Sequence, residues 1–388
     1  MEILFWAALA VVAYTYVGYP ILLYLIVRLK RGSASKDASI DTVEEWPTLA
    51  LMVAAYNEAP ILEEKIQNTL ALKYPREKLR IIFITDGSSD TSPAVVRKYP
   101  EVELYHEDAR RGKNHAINRV VPFVKEEVLV FCDANTHLNA DALIMMARHY
   151  QQANVGGIAG EKRVRSESGD VASSGESAYW KYESKLKELD SALYTVVGAA
   201  GELFSVRREL YEAVPTDIII EDFYLSMRVV EKGYRVIYEP KAYAYESGSA
   251  SIGEERKRKV RIAAGGIQAI LRLKEIGNIF KFGWATFCYI SHRAMRWTAA
   301  PLGLLICFVA NIFLVVNHNS ILYQLTMVAQ IAFYAIAIAG GFLQSAKGVF
   351  RLLLIPYYFA FMNYCVYHGF VRFLRGKQSA VWEKTRRA

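Results

Sequence analysis

Three short polar clusters each follow an apolar run: Tyr56-Asn57-Glu58 after Thr48–Ala55, Asp86-Gly87-Ser88-Ser89-Asp90 after Leu79–Thr85, and Asp133-Ala134-Asn135 after Val128–Cys132. Carboxylates gathered in one cleft repel an anion unless a cation lies between them, and hard oxygen ligands suit Mg2+ or Mn2+. Asp133, with the Asn135 side-chain oxygen or with Asp86, is the candidate metal ligand. Such an ion would neutralise a leaving diphosphate. Lys113, just after Arg110-Arg111-Gly112, can add positive charge beside it. A fourth cluster, Glu221-Asp222, follows Ile218-Ile219-Ile220. A carboxylate at the edge of an apolar cavity is what a general base needs, so Asp222 is the candidate for taking a proton from an acceptor hydroxyl. Each cluster also has a plainer reading. Asp86-Gly87 is a common turn, Asp90 a reasonable helix N-cap, Arg110–Lys113 a solvated loop, and Glu221-Asp222 an acidic helix start. Their conjunction favours a site.

The elements that must position these residues alternate. Thr48–Ala55, Leu79–Thr85 and Val128–Cys132 are continuous apolar runs, as expected of strands buried on both faces. Val102–Tyr105 and Val155–Arg163 read as further strands. Pro60–Leu72, Thr91–Lys98, Gly112–Val124, Ala140–Gln151 and Phe223–Lys232 read as helices. This βαβα order implies an α/β domain with a mostly parallel sheet, in which ligands bind beyond the carboxyl ends of the strands. The small residues Gly198-Ala199-Ala200-Gly201-Glu202 would let a ligand approach the backbone. Glu254–Arg272 reads as a basic helix carrying Arg256, Lys257, Arg258, Lys259 and Arg261. It could lie on a membrane surface and present cations to a diphosphate.

Apolar residues concentrate at the two ends of the 388-residue chain. Ile3–Val27 holds no Asp, Glu, Lys or Arg. As a helix it would reach roughly 37 Å, more than the ~30 Å hydrocarbon core. Glu2 before it and Arg28, Lys30 and Arg31 after it argue for an uncleaved anchor with the next domain cytoplasmic. Trp297–Ala346 is free of charge and long enough for two spans, with Asn317–Ser320 as the turn. Leu352–Val371 contains Pro356, Asn363 and His368, and the tail after it is basic. A re-entrant or interfacial segment is therefore expected rather than a third span here. The division is then 1–30 anchor, 31–46 linker, 47–253 α/β domain, 254–296 basic and interfacial helices, 297–346 two spans, and 347–388 the last segment with its tail. The net charge of +8 resides largely beside the apolar blocks, as membrane-surface residues would, and no nucleic-acid partner is expected. Cys132, Cys288, Cys307 and Cys365 have no metal-site spacing, and disulfides are not expected in a cytoplasmic domain.

Taken in order, these motifs resemble family 2 glycosyltransferases of the membrane-integrated GT-A type, which includes cellulose, hyaluronan and poly-N-acetylglucosamine synthases. The similarity covers roughly residues 47–270 by motif and the flanking helices by layout. It implies a Rossmann-like GT-A domain on the cytoplasmic face of a bacterial inner (plasma) membrane. It implies that Ala55, Tyr56 and Glu58 hold the nucleobase, that Asp86 contacts the nucleotide, and that Lys113 lies near the diphosphate. Asp133-Ala134-Asn135 stands where the family has its metal-binding Asp-x-Asp, and Glu221-Asp222 matches the Thr-Glu-Asp motif, whose Asp is the catalytic base. The stretch from Gly201 and Glu202 to Arg208 resembles the lining of the acceptor channel, where Glu221 is also placed. Two departures stand out. Asn135 replaces an Asp, and Gln-x-x-Arg-Trp appears as Arg258-Lys259-Val260-Arg261-Ile262. Arg258 and Arg261 remain candidates for the donor, while the missing Trp weakens a processive reading. The implied function is inverting transfer from a nucleotide sugar, UDP-linked by resemblance, to a saccharide or lipid-linked acceptor. Single-sugar transfer to a membrane lipid and a non-catalytic nucleotide-sugar-binding protein are the alternatives. With three expected spans, a complete export channel would need a homo-oligomer or an export partner.

Overall fold

A computed structural model of the chain describes residues 1–33, 45–165, 171–249, 251–342 and 354–376. Most of the expected linker and the end of the basic tail lie outside the described residues.

The chain opens with α1 (Glu2–Ala13), a π-helical turn (Tyr14–Gly18) and α2 (Tyr19–Ser33). Then come β1 (Leu49–Ala55), α3 (Ala59–Leu70), β2 (Leu79–Asp86), α4 (Ser92–Val96), β3 (Glu103–Glu107), α5 (Lys113–Val120) and β4 (Val128–Asp133). The second half of the domain contains β5 (His137–Leu138), α6 (Ala142–Ala147), β6 (Val155–Arg165), α7 (Val171–Leu193), β7 (Phe204–Arg207), α8 (Glu221–Glu231) and β8 (Arg235–Ser247). After it follow α9 (Ile252–Arg272), the short α10 (Ile279–Phe282), α11 (Trp284–Cys288) and α12 (Met295–Trp297), and the long α13 (Ala299–Asn317), α14 (Ile321–Phe342) and α15 (Leu354–Leu374).

The strands form one sheet in the order β3-β2-β1-β4-β7-β6-β8-β5. The first four are mutually parallel, whereas β7 runs antiparallel to both β4 and β6. All seven residues of β1 are buried. Alternate side chains serve two cores: Ala50, Met52, Ile82, Ile84, Leu129 and Phe131 face one, and Leu49, Leu51, Val53, Ile81, Phe83 and Val130 the other. This two-sided burial is why the strands read as unbroken apolar runs.

The first core reaches into the anchor, because Tyr19, Leu23 and Val27 of α2 are buried in it. The Tyr19 hydroxyl donates to Asp190 of α7, and His292 holds the other Asp190 oxygen at 2.5 Å. The anchor is thus fixed to the α/β domain by side chains, not only by sequence continuity.

Among the described residues, three helices are long and apolar enough to cross a membrane: Glu2–Lys30, Ala299–Asn317 and Ile321–Phe342. The break at Asn317–Ser320 falls where the sequence places a turn. In the last segment α15 is one uninterrupted helix, as an interfacial segment would be, and it is not one of the three candidate spans among the described residues. Pro356 lies in its first turn, where a missing N–H costs little. Tyr16 donates to Asn363, and Tyr367 to the Pro301 carbonyl, so these two polar side chains are satisfied against neighbouring segments. Gly369 lets α15 approach α9 closely: a Cβ there would lie 2.6 Å from that of Ala263.

Candidate functional site

The loops after β1, β2 and β4 meet at the carboxyl end of the parallel strands. Asn57, in a left-handed conformation with φ 53°, uses its side-chain oxygen to accept from the Ser89 amide at 2.8 Å. Asp90 accepts from the amides of Ala59 (3.1 Å) and Ser92 (2.9 Å), so it ties two loops together. Thr91, not Asp90, is the residue at the start of α4, which corrects the capping reading. Asp86 accepts from the amides of Arg111 (3.1 Å) and Gly112 (2.6 Å). The Arg110 guanidinium lies 3.8 Å from the centre of the Tyr56 ring. Ala55, Tyr56, Asp86 and Lys113 line one small hollow here, walled also by Arg110 and Gly112.

Tyr56 and Lys113 also line a second, larger cavity of about 240 Å3. Around it stand Glu58, Asp133 and Asn135 from the strand ends, Gly201 and Glu202 from the loop before β7, and Glu221 and Asp222 from the start of α8. Arg258 and Arg261 enter from α9. The candidates for catalysis, donor, metal and acceptor (Ala55, Tyr56, Glu58, Asp86, Lys113, Asp133, Asn135, Gly201, Glu202, Glu221, Asp222, Arg258 and Arg261) therefore border one of two adjoining hollows, whereas Asn57, Asp90, Arg208, Arg256 and Lys257 do not. Within α9, Arg256 and Lys257 are exposed while Lys259 is buried, so the helix divides its cations between solvent and cavity.

Lys113 is the electrostatic centre. Its ammonium lies 2.6 Å from Asp133 Oδ1 and 2.7 Å from Glu221 Oε1. A methyl group on Gly201 would stand 3.5 Å from Asp222 Oδ2 and 3.7 Å from Asp133 Oδ2, so both carboxylates face the same small volume. Burial and the neighbouring Glu221 charge push the Asp222 carboxyl up to about 7. Burial also raises Glu221, but Lys113 more than reverses this and holds it below the usual carboxylate range. Burial raises Asp133 despite Lys113. Adjacent carboxylates driven apart in this way mark an acid–base pair of roles: one group stays ionised and its neighbour exchanges a proton near neutrality.

Glu202 is held well below its ordinary range: burial opposes this, and Lys162 at 2.5 Å with Arg258 at 3.5 Å prevails. Asn135 donates its side-chain nitrogen to Glu246 at 3.2 Å, which leaves its oxygen as the atom able to ligate. Another metal-type grouping, Asp86, Glu107 and His115, has ligand atoms within 4.8 Å of one another. Arg111 and Arg119 already stand 3.4 and 3.1 Å from Glu107, and that neutralised cluster is the weaker place for a cation.

Several cavity residues escape sequence reasoning. Trp180 and Lys187 come from α7, Arg293 from the π-helical turn before α12, Trp297 from the end of α12, and Met362, Cys365 and Val366 from α15. A signal existed in α7. Trp180, Glu183, Lys187 and Asp190 recur at helical spacing on one face, and the three charged members are all buried. A charged stripe turned inward is a sign of something other than packing. Trp297 covers Gly266 so closely that a Cβ there would fall 2.4 Å from the indole, which explains one glycine of the Gly265-Gly266 pair.

Residues 50–214 match the family model described as glycosyl transferase family 2. The poly-beta-1,6-N-acetyl-D-glucosamine synthase of Staphylococcus aureus (strain COL) is 29% identical over 259 residues, 64% of this chain and 61% of the relative. The Staphylococcus epidermidis synthase of the same name is 26% identical over 231 residues, 58% of this chain and 56% of the relative. The chain thus spans about three-fifths of the length of these curated relatives. A solved mannosyltransferase from Pyrobaculum calidifontis, in complex with GDP-mannose and Mn2+, superposes with a TM-score of 0.71 over 97% of this chain and 100% of its own, at 23% identity. The fold is therefore GT-A with flanking helices, and residues 50–214 within it are similar to the glycosyl transferase family 2 domain.

Proposed function

We propose that this protein is an inverting glycosyltransferase of the membrane surface, moving a sugar from a nucleoside diphosphate sugar to a hydroxyl of a saccharide or lipid-linked acceptor. The observation that carries this reading is the pairing across Gly201 of Asp222, titrating near neutrality, with Asp133, held by Lys113. Asp222 takes the proton of the acceptor hydroxyl as its oxygen bonds to the anomeric carbon from the face opposite the diphosphate. The bond from that carbon to the diphosphate oxygen breaks, and the electron pair leaves with the nucleoside diphosphate. Lys113 and Arg261 offset the charge developing on the leaving group. Tyr56, Arg110 and Asp86 form the nucleoside end, with Ala55 and Glu58 beside it. The oxygen set of Asp133 and Asn135 suits Mg2+ or Mn2+, which would supply further neutralisation of the diphosphate.

The product is proposed to be a polysaccharide, because the curated relatives are poly-N-acetylglucosamine synthases, and the donor a UDP-sugar, by the family resemblance of the motifs. We propose a cytoplasmic-face domain at a bacterial plasma membrane; Arg28, Lys30 and Arg31 after the first span support that orientation. The test is nucleotide release from purified protein with a panel of UDP-sugars and GDP-mannose. Product length then separates polymerisation from single-sugar transfer. Asp222→Asn is expected to lower transfer at least about a thousandfold with donor binding retained. A fully active variant would show that another group takes the proton.

A further inference from the structure

The membrane-facing part of the cavity contains a cation that the reaction above does not use. Lys187 is only 4% exposed, lines the cavity, and has no hydrogen-bond or ion-pair partner among the described residues. The other cations nearby are matched. Lys162 meets Glu202 and Glu246, Lys259 lies 3.3 Å from Glu255, Arg258 lies 3.5 Å from Glu202, and Arg293 meets Glu183. Trp180 lies among three of the lysines: its ring centre is 5.0 Å from Lys162, 5.4 Å from Lys259 and 5.8 Å from Lys187. An ammonium withdrawn from water with no carboxylate in contact is costly, and such a group persists where a ligand supplies the missing anion. Burial and then the nearby Arg293 lower its proton affinity, outweighing the charges of Glu183, Glu202 and Asp222, none of which is in ion-pair contact with it.

The walls beside it indicate what bears that anion. Met362, Cys365 and Val366 of α15 present apolar surface, and Trp297 stands immediately before the membrane-spanning α13. A cavity with a base at one point, an unmatched buried cation and an apolar wall of membrane helices fits an amphiphile with a charged head. We propose that Lys187, beside Trp180, forms an anion subsite that holds the phosphate of a lipid-linked acceptor while Asp222 receives the proton of its hydroxyl. This rests on the transferase reading for the role of the acceptor, but the subsite itself is tested by binding alone.

The full-length protein in detergent is titrated with farnesyl phosphate, farnesol and inorganic phosphate. Farnesyl phosphate is expected to bind at least about tenfold more tightly than farnesol, the difference one charge-assisted contact supplies. Lys187→Gln should erase that preference and Lys187→Arg should keep it. The Gln variant should melt no lower than the wild type, because it removes an unmatched buried charge. Equal binding of the two lipids by the wild type, or a Gln variant that keeps the phosphate preference, overturns the subsite. Inorganic phosphate binding as tightly as farnesyl phosphate overturns the lipid component. Turnover provides a separate check. With a lipid phosphate acceptor, Lys187→Gln should raise the acceptor KM at least about tenfold and move the donor KM less than about twofold. If no donor in the panel is turned over, the transferase reading fails, while the binding titrations still decide the subsite.

Discussion

The two halves of the cavity are built by different means. Around Asp86, Lys113 and Asp133 the side chains come from loops directly after parallel strands, and the charges meet amides or opposite charges. Around Trp180, Lys187 and Trp297 they come from helices that pack together at the membrane end, and one buried cation has no partner among the described residues. Strand ends hold groups rigidly, which suits a donor whose diphosphate must be aligned. Helices packed beside membrane spans suit an acceptor that arrives from the bilayer.

The comparison is sharpened first at the junction of the two halves. Asp222 must be ionised to act as a base, so kcat/KM of the wild type should rise with pH through about 7. The adjacent Glu221 charge raises Asp222, so Glu221→Gln should move that limb to lower pH. Lys113 lowers Asp222, so Lys113→Met should move it to higher pH. A pH–rate profile that stays put in both variants would remove Asp222 from the titrating step. Lys113→Met should also reduce kcat/KM by roughly a hundredfold, because it strips the counter-charge from the leaving diphosphate and leaves Asp133 and Glu221 buried without it.

Two glycines three residues apart give the next contrast. At Gly201 a methyl group meets Asp222 and Asp133 only at ordinary contact distances, so Gly201→Ala should fold normally. It should lose activity all the same, because the methyl fills the space between the carboxylates. At Gly198 the backbone has φ +82° and a Cβ would fall 2.2 Å from the Phe223 ring. Gly198→Ala should therefore cost at least about 2 kcal/mol of stability, seen as a lower melting temperature. Loss of activity at Gly201 accompanied by the same melting shift would make its role structural too.

The smallest effect is expected at the nucleoside end. Arg110→Ala removes a cation from the Tyr56 face and should weaken donor binding about two- to fivefold, with kcat unchanged. A loss confined to the acceptor KM would place the Tyr56 hollow on the wrong side of the reaction.

Legibility in the sequence follows the same division. β1, β2 and β4 are recognisable because both their faces are buried, and the clusters after them stand out as polar residues ending apolar runs. β7 is only four residues long, and β8 carries Glu239, Pro240 and Lys241 at a register shift in its pairing with β6, so neither has a clean pattern. α7 places charged residues where a packing helix would place apolar ones, and its inward face becomes intelligible only when its partners are known.

The sequence by itself determined the α/β order, the three candidate spans, and the residues at the ends of the parallel strands, because burial periodicity and strand-end polarity are local properties of the chain. Only the tertiary structure decided that Glu221 and Asp222 differ in proton affinity, that Trp180 and Trp297 border a cavity whose α9 motif has no Trp, and that Lys187 is left without a partner among the described residues. Those properties depend on distances between residues far apart in sequence and on the water excluded when they meet, and neither is written in local order.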